Sequence, residues 1–248
     1  MANGKPRAEL LAVCLVLSSC ASRTAPAARP DAAGREFGSY LEHGLSLLNH
    51  DDPASAVDAF GKAIALDPTS ARAHNLRGAS LFRLEKYDAA EEDFRNALTL
   101  NPYYAEAYNN IGSVYFARGR LDTAMDMFRY ALSLSPDSVP ALYSLGTLLL
   151  LRGKADEGSA YLSRGVELDP AFFETHKMSL VDVPSYGSSL PEIHFTYARI
   201  YAAKGDVDKT VVFLEKADKA GFRDWKRIGQ DKAFEAVRGD PRVRQFLR

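Results

Sequence analysis

Five histidines (His43, His50, His74, His176, His194), two cysteines (Cys14, Cys20) and the acidic run Glu91-Glu92-Asp93 are the first places to look for chemistry in this 248-residue chain. Two imidazoles share one helical face around a zinc ion only at a spacing such as His-Glu-x-x-His, and none of the five has it. Gly153-Lys154 ends like a phosphate-binding loop, but Leu148 stands where the loop needs glycine and Ala155 where it needs Ser or Thr. No motif marks a Ser, His and Asp set. The one reactive grouping is His176, Lys177, Asp182, Ser185 and Tyr186, so an enzyme reading would place its site in the 173–190 segment. The acidic run is expected to be a solvated helix face, with only a weak claim to a cation. The chain therefore reads as a non-enzyme, with no catalytic residue, metal or cofactor to nominate.

The elements that would position any site follow a strict period. Gly44, Gly78, Gly112 and Gly146 lie 34 residues apart, as do Ala56, Ala90, Ala124 and Gly158, and Phe60, Phe94, Phe128 and Leu162. Pro68, Pro102, Pro136 and Pro170 close the units at one phase. Four units (37–70, 71–104, 105–138, 139–172) run without insertion, which describes stacked supersecondary units rather than one globular core. Small residues at positions 8 and 20 let the first helix approach the second, and Ala63, Ala97, Ala131 and Gly165 at position 27 do the same between units. Phenylalanines fill the wedge beside them. Proline at position 32 ends each second helix, because it disfavours the α region for its predecessor. Short turns are expected at Asp51–Pro53, Glu85–Tyr87, Gly119–Leu121 and Gly153–Ala155. His43 and His74 fall at packing positions and are expected to be structural.

Tyr108, Ile111, Gly112, Tyr115, Ala124, Phe128, Ala131 and Pro136 together resemble the signature of the tetratricopeptide repeat. The resemblance implies an all-α fold: a right-handed α-solenoid of helix-turn-helix repeats with a C-terminal helical cap. The fourth unit departs from it at Gly158, Leu162 and Gly165 and is expected to be the least stable. A degenerate fifth unit spans 191–224, with Ala198, Tyr201, Gly205, Leu214 and Ala217 in phase but Thr210 at position 20 and no terminal proline. An irregular insertion, 173–190, precedes it, with a short helix expected near Phe173–Leu180. Residues 225–248 resemble a capping tail with Asp231, Phe234, Val237 and Asp240-Pro241-Arg242 as landmarks; such a tail covers the last apolar face.

Lys5 and Arg7 precede the apolar run Leu10–Leu17, too short to span a bilayer but suited to a signal-peptide core. Leu17-Ser18-Ser19-Cys20 follows and resembles the lipobox of bacterial lipoproteins. The resemblance implies a leader over 1–19, acylation of Cys20 and a flexible tether over 20–36 with a reach of about 20 to 25 Å. Cys14 would leave with the leader, so the mature chain would keep no free thiol. Ala21 after the cysteine implies the outer membrane of a two-membrane bacterium, facing the periplasm.

Lys and Arg number 31 against 32 Asp and Glu, so no global charge draws the chain to nucleic acid. The distribution is uneven: residues 219–248 hold nine basic and four acidic residues, whereas 20–218 hold 20 and 27. The basic tail is either a solvated cap or a contact for anionic headgroups or an acidic partner.

In the family the concave face, lined by first helices, binds an extended peptide or a partner helix. Its inward positions fall here on Arg72, Asn75, Phe82, Asn109, Asn110, Ser113, Phe116, Tyr143 and Thr147. Asparagine amides bond peptide groups without demanding a side-chain sequence. The Lys and Arg clamp that chaperone-binding members use is missing, since Glu106, Asn110, Pro140 and Ser144 hold the corresponding positions. The expected function is a protein–protein interaction scaffold, a lipid-anchored adaptor whose groove holds an envelope protein. The alternatives are a homo-oligomeric envelope spacer and a pilus-secretin assembly factor or an adaptor for hydrolases or proteases.

Overall fold

The computed structural model describes residues 32–170 and 190–247. The leader, Cys20, the tether up to residue 31 and the insertion up to residue 189, including the cluster from His176 to Tyr186, lie outside the described residues. Eight helices form the four regular units: α1 (Ala32–Asn49), α2 (Pro53–Leu66), α3 (Ala71–Arg83), α4 (Tyr87–Leu100), α5 (Ala105–Ala117), α6 (Leu121–Leu134), α7 (Val139–Leu151) and α8 (Ala155–Leu168). The helical pair α9 (Leu190–Ala203) and α10 (Val207–Ala220) follows, then α11 (Lys226–Gln230), a 3-10 turn (Lys232–Phe234) and α12 (Pro241–Arg244). No strand occurs among the described residues. Helix α1 begins at Ala32, so 32–36, read from sequence as tether, belong to the first helix.

Local chemistry sets the helix ends. Asp52 accepts from the Ser55 amide (3.0 Å) with Pro53 at the first helical position, and Ser70 accepts from the Ala73 amide (3.2 Å). The residues before the periodic prolines, Asp67, Asn101, Ser135 and Asp169, all leave the α region, with φ between −140 and −138°. Every turn inside a unit passes through one residue with positive φ at position 15: Asp51 (65°), Glu85 (58°), Gly119 (72°), Gly153 (75°) and Gly205 (75°). Glycine enters that region without penalty, whereas Asp51 and Glu85 each give up about 1 to 2 kcal/mol. Asp51 also carries the ion pair to Arg83 of the next unit.

The small residues do what their spacing predicts, in a more specific way. A Cβ on Gly44, Gly78 or Gly112 would lie 2.5 to 2.7 Å from Cε1 of the phenylalanine of the same unit, Phe60, Phe94 or Phe128. The ring lies on the bare glycine, and a methyl group has no room. In the fourth unit the helices close further: a Cβ on Gly158 would lie 2.8 Å from the Gly146 carbonyl oxygen. Gly165 faces the ring of Tyr143, 3.2 Å from where its Cβ would be. The departures of this unit are thus matched to one another.

Units are also tied by charge. Arg83 pairs with Asp51, Arg118 with Asp88 and Arg152 with Asp122, each linking the end of a first helix to the preceding unit. The outer side of α1 is polar, with Arg35, Glu36, Ser39, Glu42 and His43 exposed among the described residues. His43 is accordingly not a packing residue; the unit before it that would have covered it does not occur among the described residues. At the other end Phe195 stacks on Phe222 (4.3 Å, 6°), Phe234 leans on Phe195 (5.6 Å) and Trp225 meets Phe246 (5.1 Å). Arg227 lies 4.4 Å over the Phe195 ring and pairs with Glu192 at 2.8 Å, which binds α11 to α9.

Candidate functional site

First helices of successive units pack directly on one another, α3 on α5 and α5 on α7, whereas the second helices do not approach as closely. The first-helix side is therefore the inner side of the curve, and it carries the residues nominated from sequence.

The structure joins the asparagines of two units. Asn110 Nδ2 donates to Asn75 Oδ1 (2.9 Å), and Asn75 Nδ2 points to the Tyr104 hydroxyl at 3.5 Å. That hydroxyl donates to Glu106 Oε2 (3.2 Å). Burial, then the charge of Glu106 and the hydrogen bond to it, push the Tyr104 phenol up to about 12, while Asn75 and Arg72 oppose the shift. Asn109, on the next residue of the same helix, is 7 % exposed and its Oδ1 has no hydrogen-bond partner. Ser113 donates to the Asn109 carbonyl (3.1 Å). Arg72 and Glu106 are exposed at the edge of this polar strip. Sequence reasoning missed Tyr104, which ends its unit and lies in no inward position; a side chain directly before a first helix is the signal that could have found it.

The apolar nominees divide. Phe82 is half-buried and packs on Tyr87 with ring centroids 5.5 Å apart, while Phe116 is wholly buried. Tyr143 is 4 % exposed and Thr147 is buried, its hydroxyl 3.3 Å from that of Tyr197. Tyr143 and Tyr197 stand 6.2 Å apart because α9 packs on α7 and α8. These two nominees therefore lie inside the joint between the fourth and fifth units, not on an open groove wall. Burial, followed by the neighbouring Tyr201 and Tyr197, raises the Tyr143 phenol far above its ordinary value, so it is neutral throughout the physiological range.

The acidic run Glu91-Glu92-Asp93 is not a solvated face. Glu91 is 6 % exposed and accepts from the Tyr115 hydroxyl (2.9 Å) and from Arg118, with Arg95 alongside. Asp93 is 2 % exposed, held by Arg77 through two bonds of 2.7 Å and 3.3 Å from His74 Nδ1. Residues two apart on a helix are turned by about 200° from one another, so Glu91 binds the next unit and Asp93 its own first helix; only Glu92 is exposed. His74 is the structural histidine its position implied. Among the described residues no group of three or more His, Cys, Asp or Glu could hold a metal ion, and no helix is long and apolar enough to cross a membrane.

Helix pairs of this geometry, stacked with glycine against phenylalanine and closed by proline, define an α-solenoid of helical hairpins. Family models described as tetratricopeptide repeat match residues 41–105, 78–139 and 115–176, together more than half of the chain, and the chain belongs to that family. Arrays of this family mediate protein–protein interactions. No curated protein gives a match. Among solved structures, a thermophilic repeat protein of Thermus thermophilus is 19 % identical over 80 % of this chain and 99 % of its own, with a TM-score of 0.55. MamA is 28 % identical over 56 % of this chain and 81 % of its own, TM-score 0.46. The first tetratricopeptide domain of Spaghetti, bound to the HSP90 peptide SRMEEVD, is 26 % identical over 48 % of this chain and 94 % of its own, TM-score 0.45.

Proposed function

We propose that this chain is a non-catalytic adaptor that holds an extended segment of a partner protein along the inner face of units two and three. The observation that carries the reading is the Asn75–Asn110 bond across successive first helices, next to the unsatisfied Oδ1 of buried Asn109. The Asn110 side chain is part-exposed, and its amide oxygen would accept from a peptide N–H laid along the strip. The amides bond backbone groups, while exposed Arg72 and Glu106 would select among side chains. Lys5, Arg7, the apolar run Leu10–Leu17 and Leu17-Ser18-Ser19-Cys20 support a lipid anchor at Cys20 and a periplasm-facing place at the outer membrane.

Two measurements test these parts separately. A photo-crosslinking residue at Ser113 should trap a partner in the host envelope. Asn75→Ala with Asn110→Ala should reduce the trapped partner by about tenfold or more, since each lost buried bond costs roughly 1 kcal/mol, and leave helical content unchanged. Trapping unaffected by the pair would move the site elsewhere. For the anchor, mass spectrometry of the mature N-terminus should find an acylated Cys20, and an unmodified N-terminus upstream of it would refute the anchor while leaving the groove reading intact.

A further inference from the structure

The C-terminal cap carries a surface that the adaptor reading does not use. Its rings and four of its charges are committed to the fold: Arg227 to Glu192, Arg242 to Asp208 and Asp240, and Asp231 to Arg199. Lys226, Lys232, Arg238 and Arg244 make no ion pair among the described residues, and of these Lys226, Lys232 and Arg244 are exposed. Three of the four are carried by segments that meet around Gly229. Arg238 donates to the Gly229 carbonyl (3.0 Å), Lys226 precedes Gly229 by three residues on the same helix, and Leu247 comes within 3.7 Å of where a Gly229 Cβ would be. The Leu247 amide donates to the Arg244 carbonyl (2.9 Å), which sets that arginine one turn from the leucine. Leu247 is 41 % exposed, although the neighbouring Phe246 is buried against Trp225. The acids of the cap without an ion pair are Asp224 and Glu235, both exposed.

We infer that this end of the molecule is a peripheral membrane-binding surface, on which Lys226, Arg238 and Arg244 meet the phosphates of an anionic bilayer while Leu247 enters the acyl boundary. Charge complementarity selects the occupant. Cations around a single exposed apolar side chain have the composition of an interfacial lipid contact, where apolar burial and attraction to anionic headgroups add. The covalent anchor plays no part in the inference, because the contact is made at the opposite end of the chain.

The test uses the full chain with Cys20→Ser, which cannot be acylated, and vesicles of phosphatidylcholine alone or mixed with phosphatidylglycerol. Co-sedimentation should favour the phosphatidylglycerol vesicles and weaken as salt is raised. Lys226→Gln with Arg244→Gln should reduce partitioning roughly 30-fold, at about 1 kcal/mol for each cation, and Leu247→Ser should weaken it further. Lys86→Gln with Arg129→Gln, both exposed on the repeats, should change little, and circular dichroism should be the same for all variants. Several results would overturn the inference. These are binding that ignores phosphatidylglycerol, binding that the leader maintains when the cap is altered, equal losses from the repeat variant, displacement by inorganic phosphate at constant ionic strength, or a preference for polyglutamate over the vesicles.

Discussion

Glu91 shows how much one side chain contributes when it is buried between units. Burial by itself would raise its carboxyl, but the hydrogen bonds from Tyr115 and Arg118 and the charges of Arg95 and Arg118 outweigh burial, and its pKa lies below the ordinary 4.5. A depressed folded-state pKa contributes stability that is present above the unfolded value and lost as pH falls through the folded value. Glu91→Gln should therefore lower stability at neutral pH by roughly 1 to 3 kcal/mol, seen as a lower melting temperature, and flatten the loss of stability that the parent shows on acidification below about pH 4.5. Thermal melts of both proteins from pH 7 to pH 3 check this, and parallel curves would mean that the carboxylate is not the group that titrates. Three acids in a row on a helix gave no hint of this, because the partners, Arg77, Tyr115 and Arg118, come from other helices. The Asn75–Asn110 pair was half legible: both positions were nominated, but that their amides would join across the units depends on the spacing of α3 and α5.

At the scale of a helix pair, the period placed every regular helix and every proline stop, since small and large residues must alternate in register for two cylinders to pack. At the fourth unit the packing adds what the period does not carry. Glycine at 158 in place of alanine looked like a weak point, and on helix propensity alone Gly158→Ala would stabilise by about 1 kcal/mol. The packing reverses that sign, because the new Cβ would lie 2.8 Å from the Gly146 carbonyl oxygen and 2.9 Å from Leu150 Cδ2. Overpacking of this kind costs about 1 to 3 kcal/mol, so Gly158→Ala should be net destabilising by roughly 1 kcal/mol. Urea denaturation decides it: a higher midpoint in the variant would show that α7 and α8 can separate freely. Leu162 and Gly165 belong to the same adjustment, with the Tyr143 ring over Gly165 where the earlier units have alanine.

For the whole molecule, neighbouring units share interfaces and distant ones do not, so damage should stay local. Phe234 is wholly buried in the aromatic cluster that joins the cap to α9. Phe234→Ala should cost about 3 to 5 kcal/mol in that region. Hydrogen exchange should show α9 to α12 losing protection while α3 to α6 keep theirs; uniform loss along the array would mean that it unfolds as one body. By itself the sequence determined the all-α repeat architecture, because small, aromatic and proline residues at fixed phase allow no other packing. Which helix faces turn inward came from the resemblance to the repeat family. The tertiary structure alone decided which inward residues remain open. Tyr143 and Thr147 hold groove positions like those of Asn75 and Asn109, yet α9 docks against them after an interruption of the period, and no local pattern records where a helix returns. It also decided that Lys226, Arg238, Arg244 and Leu247 share one end of the molecule, because three short elements, each too short to show a periodicity of its own, fold around Trp225 and Phe234.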